Sequence, residues 1–354
     1  MAKRIVVMPG DGIGTEITEV AAAVCKAAAE KNGIVLEMKN ALIGGAAIDA
    51  TGVPLPEETV KAALASDGIL LGAVGGPKWD NVDPAIRPEK GILGIRKALG
   101  LYANLRPVKV FDALVDHSPL KKEVVAGVDM VIVRELNGGI YYGQRSEGSG
   151  SGDEEAWDTE YYTTAEVRRI VNMACKIAAG RSKRVVSVDK ANVLASSRLW
   201  RRAVEATVAQ HPGINLSHLY VDNCAMQLVI APNQFDVVVT NNIFGDILSD
   251  EAAVITGSIG LLPSASIGDG PGLYEPIHGS APDIAGKGIA NPLGTVLSAA
   301  MMFRHSLDLP VVASQIEKAV ESVLSQGYRS ADIYKPGTTK VSTEEMGRLV
   351  LQNL

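Results

Sequence analysis

Arg4-Ile5-Val6-Val7-Met8-Pro9-Gly10-Asp11-Gly12-Ile13-Gly14-Thr15 runs from an apolar segment through a glycine-rich turn into a helical pattern that places Ile17, Val20, Ala21, Val24 and Ala28 on one stripe. Strand, tight turn and helix in that order are the opening of an α/β unit. A dinucleotide-binding G-x-G-x-x-G fingerprint would need glycine at position 15, where Thr15 stands, although Glu37 lies at a tolerable distance downstream. The turn therefore reads as a close approach of backbone near some ligand rather than as an ordinary Rossmann phosphate site.

Moving outward, apolar runs at residues 68–74, 129–133, 184–188 and 235–240 alternate with helical patterns at 165–179 and 196–209. Such alternation implies mostly parallel sheets under helices. The last hundred residues are punctuated by glycine and proline, with helices expected near 291–305, 311–325 and 343–354. At 354 residues the chain exceeds a usual single domain, so two open α/β domains are expected. The low-complexity stretch 146–155, S-E-G-S-G-S-G-D-E-E, reads as a loop, and its Tyr- and Thr-rich neighbours at 139–143 and 156–164 are expected to pair as strands of a projecting hairpin arm.

Composition narrows the function classes. With 47% hydrophobic and 5% aromatic residues the chain is that of a soluble globular enzyme, and its net charge of −6 with scattered basic residues argues against a nucleic-acid partner. Cys25, Cys175 and Cys224 form no C-x-x-C spacing and read as packed, reduced thiols. No apolar run approaches the eighteen or so residues a membrane helix needs, so no membrane is expected. The expected location is the cytoplasm.

The chemistry concentrates in N-N-I-F-G-D-I-L-S-D-E at 241–251, where Asp246 and Asp250 fall four residues apart on one helical face. Such a pair is either a solvated face or a grip on a divalent cation. The neighbouring Ile243, Phe244, Ile247, Leu248, Ala252, Ala253 and Val254 make the surroundings largely apolar, where like charges repel unless compensated. Hard oxygen donors without nearby histidine or thiol suit Mg²⁺ or Mn²⁺, with Asp222 a further carboxylate. Arg106 lies in a strand-like run and Arg134 at the end of an apolar strand, where ligands of open α/β sheets sit; with Arg96 they offer planar forks for carboxylates. Lys190 follows another strand directly, a placement that lets a lysine among cations act as a base. Tyr141, Lys190 and each arginine alone are common residue types with ordinary surface or ion-pair roles.

Taken together, G-D-G-I-G near the start, N-L-R-P at 104–107, V-R-E-L-N-G-G-I-Y at 133–141, D-K-A-N at 189–192, N-I-F-G-D-I-L-S-D at 242–250 and E-P-I-H-G-S-A-P-D-I-A-G at 275–286 resemble the decarboxylating β-hydroxyacid dehydrogenases, the isocitrate/isopropylmalate dehydrogenase family. The likeness runs almost end to end. It implies two α/β domains of that family's type, not a Rossmann fold: an outer cofactor-binding domain of residues 1–102 and 255–354, and a central dimerisation and metal/substrate domain of residues 103–254 with the arm at about 140–165. The segment from G-G-P-K-W-D-N at 75–81 through R-P-E-K-G-I-L-G-I-R-K-A-L-G-L-Y at 87–102 is most similar to the branch acting on 3-isopropylmalate in leucine biosynthesis. An apolar wall of Ile92, Leu93 and Val193 would favour an isopropyl group and penalise an unpaired charge. D-malate or tartrate is the alternative substrate, and a non-catalytic metabolite-binding subunit the remote alternative.

The resemblance further implies roles. Arg96, Arg106 and Arg134 would anchor substrate carboxylates, Asp222, Asp246 and Asp250 the metal, with Asp222 also near substrate. Lys190 would take the hydroxyl proton, directly or through water, and Tyr141 would protonate the enolate carbon. Ile13, Glu275, His278, Gly279, Ser280, Ala281, Asp283 and Asn291 would bind the nicotinamide nucleotide. Asp283, where NADP-using relatives carry lysine, would favour NAD by accepting from the adenosine ribose and repelling a 2′-phosphate. Glu89 would sense cofactor binding or domain closure. A homodimer with shared active sites follows, Lys190 and Asp222 reaching into the neighbouring subunit's site.

Overall fold

The structure, a computed structural model, describes residues 2–148, 150 and 152–354. The N-terminal stretch supplies β1 (Lys3–Gly10), α1 (Gly14–Lys31), β2 (Leu36–Asn40), α2 (Gly44–Thr51), α3 (Glu57–Leu64), β3 (Gly68–Ala73) and α4 (Glu89–Ala98). The middle supplies β4 (Leu101–Lys109), α5 (Lys122–Val125), β5 (Asp129–Glu135), β6 (Arg145–Ser146), β7 (Trp157–Asp158), α6 (Thr164–Ala179), β8 (Arg184–Asp189), α7 (Ala195–Val208), β9 (Asn215–Tyr220), α8 (Val221–Ile230), β10 (Val237–Thr240) and α9 (Asn242–Val254). The C-terminal stretch supplies β11 (Pro263–Gly268), β12 (Gly272–Pro276), α10 (Leu293–His305), α11 (Pro310–Ser325), β13 (Tyr328–Arg329), β14 (Thr339–Lys340) and α12 (Thr343–Asn353).

Two compact units result, the first of residues 1–101, 111–117 and 256–354, the second of 102–110 and 118–255. The segment 111–117, expected in the central domain, clusters with the first unit; there the Arg329 guanidinium donates to the carbonyl of Ala113 at 2.9 Å.

In the first unit the strand order is β2-β1-β3-β12-β11, parallel except for β11 against β12. β3, Gly-Ile-Leu-Leu-Gly-Ala, is buried along its whole length, as befits a strand covered on both faces. α10 is buried on nearly every side from Leu293 to Phe303, the signature of a core helix. Val6, Met8, Ile69, Leu71 and Leu273 form a core with Ile43 and with Ile95 of α4. Each such fully buried side chain contributes about 1.5–3 kcal/mol.

The glycine-rich turn after β1 is filled by the protein itself. A Cβ on Gly10 would lie 1.9 Å from the Ala73 carbonyl oxygen and one on Gly12 2.1 Å from that of Ser280, and both residues have positive φ. The buried Asp11 accepts from the backbone N–H groups of Gly45 and Gly75 at 2.8 Å and of Ala46 at 2.7 Å. The turn thus joins β1, α2 and the loop after β3, and its glycines serve close packing rather than an open phosphate cradle.

The second unit runs β4-β5-β10-β8-β9, with β4 antiparallel to β5 and the others parallel. α6 begins with a capping box of Thr163 and Glu166 and buries Val167, Ile170, Val171, Ala174 and Cys175. The arm differs in detail from expectation. Its pairing consists of β6 against β7, Arg145 opposite Asp158 and Ser146 opposite Trp157, whereas residues 139–143 form a turn. Gly139 has a φ of +77° and Gly138 lies so close to the Tyr162 ring that a Cβ would come within 2.6 Å, a path incompatible with a strand. Cys25, Cys175 and Cys224 are buried free thiols. Among the described residues no helix is long and apolar enough to cross a membrane.

Candidate active site

β5, β10 and β8 are parallel neighbours, so residues at their C-terminal ends emerge along one edge of the second unit. Arg134 stands at the end of β5, Lys190 directly follows β8, and Asn241 follows β10 and caps α9 by accepting from the Phe244 N–H at 2.9 Å. The helix then carries Asp246 and Asp250 on one face. Gly245 lies over the Arg134 side chain, where a Cβ would approach within 2.6 Å of its Cγ.

Arg134 is 8% exposed. Its guanidinium donates to Asp246 through Nη1 and to Asn242 Oδ1 through Nε and Nη2 at 3.1 and 2.9 Å. The Tyr141 hydroxyl donates to the other oxygen of Asp246 at 3.0 Å. Burial, with the Asp246 carboxylate beside it, raises the Tyr141 pKa above that of an ordinary phenol, so the hydroxyl stays protonated at neutral pH. One turn along α9, Asp250 Oδ1 accepts from Arg106 Nη1 at 3.3 Å, while Arg106 Nε is held by Asn104 Oδ1 at 2.8 Å. Asn104 and Arg106 share a face of β4 because strand side chains repeat every two residues.

Lys190 and Asp222 form a second cluster in this unit. The Lys190 ammonium pairs with Asp222, in the first turn of α8, and lies 6.0 Å from the centroid of the Tyr220 ring. The pairing holds the Asp222 carboxyl below the usual carboxylate range. Hydrogen bonds tie the Lys190 turn to α7: its N–H donates to Ser197 Oγ at 3.1 Å, and Asp189 accepts from Ala191 N–H and from both Nε and Nη2 of Arg201, each at 2.9 Å. Val193, in the same turn, is exposed.

The expected triad of Asp222, Asp246 and Asp250 is not assembled within one chain. Among the described residues no three carboxylate, histidine or thiol groups come together as metal ligands. Asp222 is engaged with Lys190, whereas Asp246 and Asp250 are engaged with arginines. The Asp246–Asp250 pair itself fits a hard divalent cation: two carboxylates on successive helical turns, both partly accessible to solvent.

The first unit holds the remaining residues. Ile95 anchors α4 in the core, and the adjacent Arg96 pairs with Glu275 at the end of β12 at 2.6 Å. Ile92 is half-buried against that core, while Leu93 is exposed. Glu89 opens α4 with its carboxylate against Gly75. The loop from Glu275 through Asp283 crosses the glycine-rich turn, where Ile13 N–H donates to the Ser280 carbonyl at 2.9 Å. The Ile13 side chain itself is buried against Ile17 and Ala290, so its link to the loop is through the backbone.

His278 donor and acceptor sites are unequal: Nδ1 lies 3.0 Å from the Gly279 carbonyl, and Nε2 is buried without a partner. Burial lowers its pKa, keeping the ring neutral at pH 7. An orphaned ring nitrogen, an open approach over Gly279, the positive φ of Ala281 and the exposed carboxylate of Asp283 suit a nucleotide that supplies ring and ribose hydrogen bonds. Asn291, 6% exposed, accepts from Leu293 N–H and donates to Asp332 Oδ2, both at 3.0 Å.

The family profile described as isocitrate/isopropylmalate dehydrogenase matches residues 4–350. The chain belongs to that family. Similar proteins include the 3-isopropylmalate dehydrogenases of Halalkalibacterium halodurans, 57% identical over 99% of this chain and 98% of that protein, and of Aquifex aeolicus, 58% identical over 99% and 97%. Among solved structures the chain is similar to the isocitrate dehydrogenase of Methylococcus capsulatus, with a TM-score of 0.85 and 34% identity over 99% of both chains. A beta-decarboxylating dehydrogenase from Thermococcus kodakarensis has a TM-score of 0.83 and 36% identity over 99% of this chain and 96% of that one.

Sequence reasoning overlooked Asn242, Asn104 and Glu135, although each lies inside a motif that pointed to a neighbour. Asn242 stands four residues before Asp246, and so on its face of the helix; Asn104 stands two residues before Arg106. Both spacings were available as signals. Asp332, which holds Asn291, had no local signal because the contact spans forty-one residues.

Proposed function

We propose that the chain catalyses the NAD- and divalent-metal-dependent oxidative decarboxylation of (2R,3S)-3-isopropylmalate to 4-methyl-2-oxopentanoate, a step of leucine biosynthesis. The observation that carries the reading is the convergence of the Tyr141 hydroxyl and the Arg134 guanidinium on Asp246, with Asp250 and Arg106 one turn away. The relatives at 57–58% identity named 3-isopropylmalate dehydrogenase support the choice of substrate.

Asp246 and Asp250 would hold Mg²⁺ or Mn²⁺, with Asp222 supplied by a second subunit. Held there, the cation would supply Lewis-acid stabilisation of the negative charge that develops on the substrate oxygen. Arg106 and Arg134 present planar forks to the substrate carboxylates, and Arg96 is the third such guanidinium. Lys190, once its ammonium has released its own proton to solvent and parted from Asp222, accepts the hydroxyl proton during oxidation as the neutral amine. Tyr141, kept protonated by its surroundings, delivers a proton to the carbon that has lost CO₂. The exposed, aliphatic Leu93 and Val193 and the half-buried Ile92 provide apolar surface for an isopropyl substituent but no partner for a further carboxylate. His278, Gly279, Ser280, Ala281, Asp283, Glu275, Ile13 and Asn291 form the NAD loop, Asp283 discriminating against a 2′-phosphate.

A homodimer accounts for the separation of Asp222 and Lys190 from Asp246. α8 and α9 pack side by side and leave Met226, Val229, Ile230, Ile247 and Val254 exposed, an apolar face suited to a second copy. Reduced-nicotinamide formation should be measured with NAD and with NADP on 3-isopropylmalate, D-malate and isocitrate, with and without Mg²⁺. Fastest turnover with 3-isopropylmalate, NAD and Mg²⁺ together is the expected result; equal or faster turnover of D-malate would overturn the substrate assignment.

A further inference from the structure

Asn242 is 1% exposed and bonds to Arg134, to the turn that leads to Tyr141 and to Tyr162. Its Oδ1 accepts from two nitrogens of Arg134, and its Nδ2 donates to the carbonyls of Leu136 and Gly138, each at 3.1 Å. Its backbone N–H donates to the Tyr162 hydroxyl oxygen at 3.0 Å, and that hydroxyl donates to Glu135 Oε2 at 3.3 Å. Glu135, fully buried, also accepts from the N–H groups of Asn137 and Gly138 at 3.0 and 2.7 Å and from Arg169. A guanidinium only donates and a carbonyl only accepts, so the orientation of the Asn242 amide is fixed by its partners.

We infer that Asn242 is a positioning residue for the reaction: one amide aims the Arg134 fork and holds the 136–140 turn that sets the Tyr141 hydroxyl against Asp246. This rests on the dehydrogenase reading given above. Beside its pairing with Asp246, the Arg134 guanidinium is held by two hydrogen bonds to one Asn242 oxygen. The turn carrying Tyr141 has its own carbonyls tied to the first residue of the helix that carries both carboxylates. A displacement of α9 would therefore move Arg134 and Tyr141 with it.

Asn242→Ala removes both functions, whereas Asn242→Asp keeps an oxygen facing Arg134 but loses the two donors to Leu136 and Gly138. The wild type is first assayed on 3-isopropylmalate, D-malate and isocitrate, and the variants on whichever it turns over fastest; a wrong substrate assignment then shows in the wild type and a wrong positioning role in the variants. The expected result is a kcat at least about 10-fold lower in both variants. Substrate KM should rise at least about 5-fold in Asn242→Ala and less in Asn242→Asp, with the KM for NAD within about 2-fold of wild type. Wild-type kcat and KM in both variants would overturn the inference. So would a kcat loss equal to the lost folded fraction by circular dichroism with substrate KM unchanged. Should neither variant fold, Tyr162→Phe, which removes the acceptor of the Asn242 N–H, decides: a kcat at least about 3-fold lower with unchanged substrate-free melting supports the role, and wild-type kinetics overturn it.

Discussion

Tyr141 and Asp246 are two unremarkable side chains that the fold brings face to face across a 3.0 Å hydrogen bond. Tyr141 is a surface residue by type, and partial burial with the facing Asp246 carboxylate raises its pKa above that of an ordinary phenol, so the hydroxyl carries a proton for the donor role proposed above. Tyr141→Phe should lower kcat about 100-fold or more with little change in substrate KM, measured by steady-state kinetics; a kcat within a few-fold of wild type would remove Tyr141 from the proton-donor role. The thiols show the opposite use of burial. Cys25 and Cys224 are pushed up to about 12 and Cys175 to about 11, so none is a thiolate at pH 8 and a thiol-specific reagent should label them only after denaturation. In the unfolded chain they ionise from about pH 8.5. A folded-state pKa above the unfolded one means that stability is lost as the pH rises from about 9 toward 12, which denaturant titrations across that range would reveal. At this scale the Asp246–Asp250 pair and the strand positions of Arg106 and Arg134 were legible from type and spacing, because helix and strand periodicity fixes which side chains share a face, whereas Tyr141 was singled out only by resemblance. The Asn291–Asp332 contact and the bonds of Glu135 to Tyr162 and Arg169 were not legible, since these partners are set by tertiary packing.

The helices and strands followed the residue patterns closely. β3, β5, β8 and β10 are short runs of Val, Ile and Leu, and α6, α7, α11 and α12 each show one apolar stripe, so period and length sufficed. Residues 139–143 were less legible: tyrosines and glycines there suggested a strand, but the left-handed Gly139 and the tight approach to Tyr162 turn the chain instead. The glycine-rich turn at 10–14 read as a close approach of backbone, and only the fold shows what approaches it: Ala73 at the end of β3 against Gly10 and the 275–283 loop against Gly12. Gly12 makes the sharpest test at this level. Gly12→Ala would place a Cβ 2.1 Å from the Ser280 carbonyl oxygen at a φ of +55°, pushing the proposed cofactor loop away. The KM for NAD should rise roughly 10-fold for a strain of about 1–2 kcal/mol, with the KM for the hydroxyacid little changed; an unaltered KM for NAD would dissociate that loop from the cofactor.

At the scale of the whole molecule, each chain carries two clusters that the proposed metal and substrate site would combine, and it does not bring them together: Asp246 and Asp250 stand with Arg134 and Arg106, Asp222 with Lys190. The exposed apolar face of α8 and α9 offers a way for a second copy to complete each site. A shared site is an expectation of the resemblance alone, since no spacing within one sequence shows which residues a partner lends. Subunit mixing tests it most directly. Lys190→Ala and Asp246→Asn, each inactive alone, are unfolded together, refolded at equal concentration and assayed with 3-isopropylmalate, NAD and Mg²⁺. If Lys190 serves the partner's Asp246, half of the refolded dimers are mixed and each has one intact site, giving about one quarter of wild-type activity. If both residues act within one chain, no mixed dimer contains an intact site, and a refolded mixture as inactive as its parents would contradict the shared-site account.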